Sequence, residues 1–351
     1  MKAQIVLLST FFLLLSCSND DTNSTSNNYF PPINNSNWET LTLIEAGFNQ
    51  NNIPDLLQFL EQKNTKGFII LKNGKLVMEH YFNNHNANSQ WYWASAGKTL
   101  TAATIGIAQD QGFLNINNSV SSYLGNGWTS ATNEQEIAIS CKNLLNMTTG
   151  LDDSLGENTS AANLQYVAPA GSRWAYHNVY VKLQDIISQT TSTTFNSYFN
   201  TELKNKIGMD GNWTQIADNS VYISTTRSMA RFGLLALHNG KWEDNQIVPE
   251  NYFIESTNTS QSLNKSYGYL WWLNGKESFR LPQSQLEFNG SLIPNAPTDM
   301  VAALGKNDQK IYIIPSKQLV IIRMGQAADE ENFALSTFDN ELWSILNTII
   351  N

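Results

Sequence analysis

Cysteine is scarce in this chain, with two in 351 residues, and histidine is little commoner, with four. Two cysteines cannot build the disulfide framework of a small secreted scaffold. His80, His85, His177 and His238 show neither a His-x-x-x-His nor a carboxylate-flanked zinc spacing, so neither a metal nor a cofactor is expected. Basic charge is in deficit as well. Against 30 Asp and Glu stand 21 Lys and Arg, leaving a formal net charge of -9 and a pI near 5.0. A nucleic-acid partner is not expected, because binding one needs a basic face to displace counterions. No apolar run reaches the ~18 residues of a spanning helix, which argues against a polytopic membrane protein. Two catalytic signatures are missing too. There is no Gly-x-Ser-x-Gly elbow, and Gly97-Lys98-Thr99 is no phosphate loop, because Tyr92 stands where that loop needs its first glycine.

What the chain does have is apolar material: 41% of residues are hydrophobic, 11% aromatic and only 15% charged. That suits a large core rather than disorder. At ~150 residues per domain the length allows roughly two lobes.

The first residues read as export machinery. Lys2 supplies a short positive start, and Ile5 to Leu15 is an apolar stretch of secretory length. It ends in Leu14-Leu15-Ser16-Cys17, which resembles the lipobox of bacterial lipoproteins. The resemblance implies a signal peptide over 1–16, lipid on Cys17, and a membrane partner through that anchor. Ser18 after the cysteine resembles the outer-membrane sorting choice, so an exported, outer-membrane lipoprotein is expected. Residues 17–38, rich in Asn, Ser and Thr, read as a flexible tether. With Cys17 lipidated, Cys141 is left alone and reads as a buried structural thiol.

Apolar spacing predicts a helix over 51–63, with Ile53, Leu56, Leu57 and Leu60 on one face. A hairpin follows, Gly67 to Leu71 and Leu76 to Phe82, turning at Asn73-Gly74, where both residues tolerate positive φ. Residues 99–111, rich in alanine and isoleucine, predict a buried helix capped by Gly112. Helical patterns recur over 183–190, 195–207 and 226–238. Strand signals return over 268–273, and a second hairpin over 311–324 turns at 315–318. A last helix carries Phe338, Leu342, Ile345, Leu346 and Ile349. Strands early and late with helices between predict an α/β fold, an antiparallel sheet flanked by helices with an inserted all-helical domain. The discontinuous sheet domain would span 39–130 and 262–351, and the helical domain 131–261.

Ser95-Ala96-Gly97-Lys98 places a serine and a lysine on one helical face. A free lysine is a poor base, but burial depresses its pKa until the neutral amine can take a serine proton. The string recurs at Ser262-Leu263-Asn264-Lys265 in a polar loop, where nothing would desolvate the lysine. Tyr176-His177-Asn178 follows a rigid turn through Pro169 and Gly171. The same Tyr-x-Asn string occurs at Tyr81, on a strand end, and at Tyr198, inside a helix. His177 reads as structural, and Trp91, Trp93, Trp174 and Trp271 flank these segments as core or pocket-lining residues.

Ser95-x-x-Lys98 followed by Tyr176-x-Asn178 resembles the serine β-lactamase-like hydrolases of the class C, esterase and aminohexanoate-oligomer hydrolase type. Four further stretches are similar to that family's boxes: residues 144–151, 228–233, 267–272 and 303–309. The resemblance spans roughly 66–325 and implies a β-lactamase/transpeptidase-like fold acting through an acyl-enzyme. It makes Ser95 the nucleophile, Lys98 its proton-transfer partner, and Tyr176 the general base and then the leaving-group acid. Asn178 would bind substrate or Lys98, Trp174 would contact substrate, and Gly305-Lys306 would supply an oxyanion donor beside the Ser95 N–H. The family's lactamases begin the third box with a cation, whereas this chain reads Ala303-Leu304-Gly305. Lys306 and Lys310 are the nearest cations, but a step of one along a strand reverses the face. The implied substrate is therefore a small amide or ester rather than a β-lactam. The rival readings are a binding or sensor module that keeps the fold without turnover, and a weak β-lactamase or D-amino-acid peptidase.

Overall fold

The computed structural model describes residues 28–329 and 335–350. The leader 1–16 and Cys17 lie outside the described residues, as do residues 18–27 of the expected tether.

Helix α1 (Ile53–Gln62) buries Leu56 and Leu60 and leads into the hairpin β1 (Thr65–Lys72) and β2 (Lys75–Tyr81). Asn73 and Gly74 at its turn have φ of 50° and 80°, as the Asn-Gly signal requires. Gly74 also has no room for a side chain, since a Cβ would lie 1.8 Å from the Tyr29 carbonyl. A short β3 (Gln90–Tyr92) then precedes α2 (Lys98–Asp110), buried from Lys98 to Ala108. Gly112, two residues past its end, takes φ 79°.

The middle of the chain holds short helices α3 (Ser121–Leu124), α4 (Asn133–Ile137) and α5 (Cys141–Leu145), then α6 (Val181–Thr191) and α7 (Phe195–Phe199). Next come β4 (Asn212–Ile216), β5 (Asn219–Thr225) and α8 (Thr226–Leu237). A small hairpin, β6 (Lys241–Trp242) and β7 (Asn245–Gln246), precedes α9 (Glu250–Ser256). The remainder is β8 (Trp272–Leu273), the pair β9 (Ser278–Phe279) and β10 (Phe288–Asn289), then β11 (Val301–Gly305), β12 (Gln309–Ile314), β13 (Leu319–Gly325) and α10 (Thr337–Leu346).

The main sheet runs β2-β1-β13-β12-β11-β8, antiparallel throughout. The early hairpin therefore joins the late one, with Ile69 opposite Ile322. Strands β12 and β13 are buried at every position and β1 at most, because helices α1 and α8 pack on the sheet, while the edge strand β2 is only half-buried. The fold is thus the expected antiparallel sheet flanked by helices.

Two expectations change. The stretch 131–261 is not wholly helical: β4 and β5 join β3 in a second, three-stranded antiparallel sheet. Val221, Tyr222 and Ile223 pair with Thr214, Trp213 and Asn212, and Tyr222 packs edge-on against the Trp93 and Phe199 rings. Helix α8, placed by sequence in the helical domain, packs on β12 and β13 of the main sheet. The second change concerns the tether, which is not loose from residue 28 onward. Tyr29 N–H donates to the Asn73 carbonyl, and Arg231 donates to the carbonyls of Pro31 (3.0 Å) and Pro32 (2.7 Å). Trp38 is buried under the Arg227 and Arg231 guanidinium groups. A buried guanidinium needs acceptors, and these carbonyls supply them. Among the described residues no helix is long and apolar enough to cross a membrane.

Candidate active site

Strand β3 ends against β5, where Trp93 N–H donates to the Tyr222 carbonyl. The chain then turns abruptly: Ala94 takes φ 47°, a left-handed conformation that costs energy for a residue with a Cβ. The turn sets Ser95 in a short 3-10 segment, Ala94–Gly97, that runs directly into α2. Lys98, the first residue of α2, is drawn inward and left only 5% exposed.

Three groups converge here. Lys98 Nζ donates to Ser95 Oγ at 2.9 Å. The same Nζ lies 4.9 Å from the centroid of Tyr176 and 4.6 Å from that of Tyr180. The Tyr176 phenol also interacts with the Ser95 hydroxyl. No carboxylate forms an ion pair with Lys98 among the described residues. Burial therefore pulls its pKa down to about 8, with the more distant Glu157 pulling weakly the other way. Burial pushes the Tyr176 phenol above its ordinary value, opposed by the Ser95 hydroxyl. The second Ser-x-x-Lys behaves oppositely. Lys265 is exposed, bonded to Glu277, and its pKa is raised.

Ser95, Lys98 and Lys306 line one cavity of about 340 Å³ with Tyr92, Ala94, Glu157, Tyr180 and the β4–β5 turn from Ile216 to Val221. That volume suits a small organic ligand. Gly305 sits behind Lys306, where a Cβ would lie 2.4 Å from the Trp93 carbonyl and 2.9 Å from Ala96 N. Only glycine lets β11 approach the serine turn this closely, and the approach brings Lys306 to the cavity wall.

Several sequence expectations are corrected. Asn178 bonds neither Lys98 nor the cavity; its Nδ2 donates to the carbonyls of Glu157 and Asp218, both at 2.9 Å. It ties the 157 loop to the β4–β5 turn. Trp174 does not line the cavity. It is fully buried behind Tyr176, with ring centroids 6.1 Å apart, and against Tyr267 and Trp272. Trp91, Trp93 and Trp271 also stay out of the cavity lining. Lys310 is wholly buried with Asp339 (2.7 Å) and Asp308 (3.2 Å), so it offers no cation to a ligand. His177 is buried, with its pKa lowered to about 4 by desolvation, as a structural histidine should be. Cys141 is buried, its thiol pushed up to about 12 by the same cause. Sequence reading missed Tyr180, Glu157 and the β4–β5 turn. Tyr180 ends a 3-10 segment, Asn178–Tyr180, that begins only after the extended His177, so no regular spacing from Tyr176 announced it. Glu157 and the turn left no local signal. Among the described residues, no cluster of three or more potential metal ligands occurs.

A serine hydrogen-bonded to a buried lysine, with a partly buried tyrosine beside them, is an arrangement that can support nucleophilic chemistry. The comparisons place the chain more narrowly. It belongs to the beta-lactamase family, whose model matches residues 57–340. It is 26% identical over 294 residues to an uncharacterized protein of Alkalihalophilus pseudofirmus, covering 72% of this chain and 81% of that one. Its structure is similar to a Bacillus anthracis protein provisionally assigned as a 6-aminohexanoate-dimer hydrolase. The TM-score there is 0.66 and the identity 20%, over 91% of this chain and 88% of that one. It is also similar to a Bacteroides dorei protein provisionally assigned as a beta-lactamase. That match has a TM-score of 0.69 and 15% identity, over 87% of this chain and 99% of the other.

Proposed function

We propose that this protein is a serine hydrolase that cleaves a small amide or ester through an acyl-enzyme on Ser95. The observation that carries the reading is the 2.9 Å hydrogen bond from Lys98 Nζ to Ser95 Oγ, made by an amine whose pKa burial lowers to about 8. In its neutral form Lys98 takes the Ser95 proton as Oγ attacks the substrate carbonyl. The oxyanion is received by the N–H groups of Ser95 and Lys306; one such donor is typically worth about 3 kcal/mol. Tyr176, held protonated at neutral pH by its burial, gives its proton to the leaving amine or alkoxide. The resulting phenolate faces the Lys98 ammonium and then takes a proton from the deacylating water. Collapse of the second tetrahedral adduct returns the Lys98 proton to Ser95.

Poor β-lactam turnover is part of this reading. The third box carries no cation on its strand, and Lys310 is committed to Asp339 and Asp308. We place the enzyme on the outer membrane through lipid on Cys17, on the strength of the leader sequence alone.

A fluorophosphonate should label wild type at one site with a burst, and Ser95→Ala should stay unlabelled. A panel of p-nitrophenyl esters, D-amino-acid amides and nitrocefin should show turnover of ester or amide and little of nitrocefin. Stable adducts without multiple turnover across the whole panel would favour the binding-module reading instead.

A further inference from the structure

The cavity beside Ser95 holds two charged side chains outside the proton-transfer groups, Glu157 and Lys306. Glu157 is the better placed of the two to read a ligand. Its carbonyl is pinned by Asn178 Nδ2, a side chain only 1% exposed. The next residue is pinned as well, Asn158 Nδ2 donating to Asp218 Oδ1 at 3.1 Å. The loop is thus fixed to the β4–β5 turn, and a short side chain carries the carboxylate. Among the described residues that carboxylate has neither an ion-pair nor a hydrogen-bond partner, although basic residues elsewhere on this acidic chain pair with carboxylates. Lys306 sits instead on a long flexible stem, and its backbone N–H is the proposed oxyanion donor.

Glu157 is also a burden on the chemistry. Its field favours the protonated form of Lys98 and disfavours the phenolate of Tyr176. The groups facing Lys98 are Ser95 and the rings of Tyr176 and Tyr180, with His177 and Glu157 acting from further away. Glu157 is exposed, so solvent satisfies its carboxylate while the site is empty and the charge stays available to a ligand entering the cavity.

We propose that Glu157 is a specificity-determining residue that selects substrates carrying a positive charge, held between its carboxylate and the Tyr180 and β4–β5 wall. The proposal rests on the acyl-enzyme reading of Ser95. A cation there gains an ion pair and contact with an aromatic wall, and it cancels the field that keeps Lys98 protonated. Binding of the right substrate thereby helps to arm the base.

The test uses three p-nitrophenyl esters: γ-trimethylammoniobutanoate, its neutral isostere with carbon replacing nitrogen, and γ-sulfobutanoate. Wild type should prefer the cation over the neutral isostere by about fivefold in kcat/KM, the upper range for a solvent-facing ion pair. Added salt should shrink that preference by screening. In Glu157→Gln the preference should fall to near parity, while turnover of the neutral ester rises. Glu157→Asp should keep part of the preference, and fluorophosphonate labelling of Ser95 in both variants verifies an intact site. The proposal is overturned if wild type hydrolyses the neutral isostere as well as the cation, or if the preference survives Glu157→Gln. Preference for the sulfonate, lost in Lys306→Ala, overturns it too. Should Ser95→Ala hydrolyse all three at the wild-type rate, the acyl-enzyme reading falls with it. Ser95-dependent turnover without charge preference sinks this inference alone.

Discussion

Replacing Lys98 by methionine should abolish activity and stabilise the protein at neutral pH. The amine is 5% exposed and its pKa falls from 10.5 to about 8, chiefly because burial penalises the ammonium. That depression corresponds to roughly 3 kcal/mol. Below about pH 8 the amine is protonated in both the folded and unfolded chain, and the folded state bears the whole penalty. Between about pH 8 and 10.5 the unfolded chain holds more protons, so wild-type stability rises with pH. Above that window the penalty is gone. Methionine carries no charge to desolvate and fills nearly the same volume. It forfeits the hydrogen bond to Ser95, worth about 1 kcal/mol. The expected net gain is about 2 kcal/mol near neutrality, shrinking toward zero or reversing as pH climbs through the window. Urea midpoints of both proteins, read at about pH 7 and about pH 10, measure the difference directly. Ester turnover should fall by roughly a hundredfold or more with the loss of the base. A variant that is less stable at neutral pH, with a difference that does not change across the window, refutes the reasoning. Retained ester turnover refutes it independently.

Tyr176→Phe keeps the ring that packs against Trp174, Tyr267 and Trp272, so its melting temperature should match wild type. Its kcat should drop by roughly a hundred- to ten-thousandfold in steady-state assays, the usual contribution of a proton-transfer group. Gly305→Ala removes no functional group, yet its Cβ would press on the Trp93 carbonyl and Ala96 N. Moving β11 off the serine turn should cost about 1–3 kcal/mol of stability and on the order of a hundredfold in kcat. Normal turnover in that variant would show that β11 need not approach so closely. Cys17→Ser should move the protein from the membrane fraction to the soluble one and abolish palmitate labelling; unchanged fractionation argues against the lipid anchor.

Whatever depends on a few neighbouring residues could be read from the sequence. Asn73-Gly74 announced its hairpin because both positions need positive φ, and the small residues after Lys98 announced a buried helix. Ser95 and Lys98 share a turn, so local geometry alone brings the hydroxyl and amine together. Environment could even separate this pair from Ser262 and Lys265, because desolvation follows from the apolar residues nearby. The sequence was less informative wherever a side chain chooses between distant partners. Asn178 could have faced Lys98, but the carbonyls of Glu157 and Asp218 took its amide, and nothing within its own segment encodes them. Trp174 is as apolar in a pocket wall as in a core, and only the packing of Tyr267 and Trp272 settled its place. Lys310 was lost to substrate by an ion pair with Asp339, 29 residues away. Helix α8 belongs to the main sheet because β12 and β13 offered it an apolar face late in the chain. Local sequence determined which groups could do chemistry, since pKa chemistry and turn geometry act over a few residues. Long-range packing decided which of those groups meet, because burial and partner choice belong to the assembled fold.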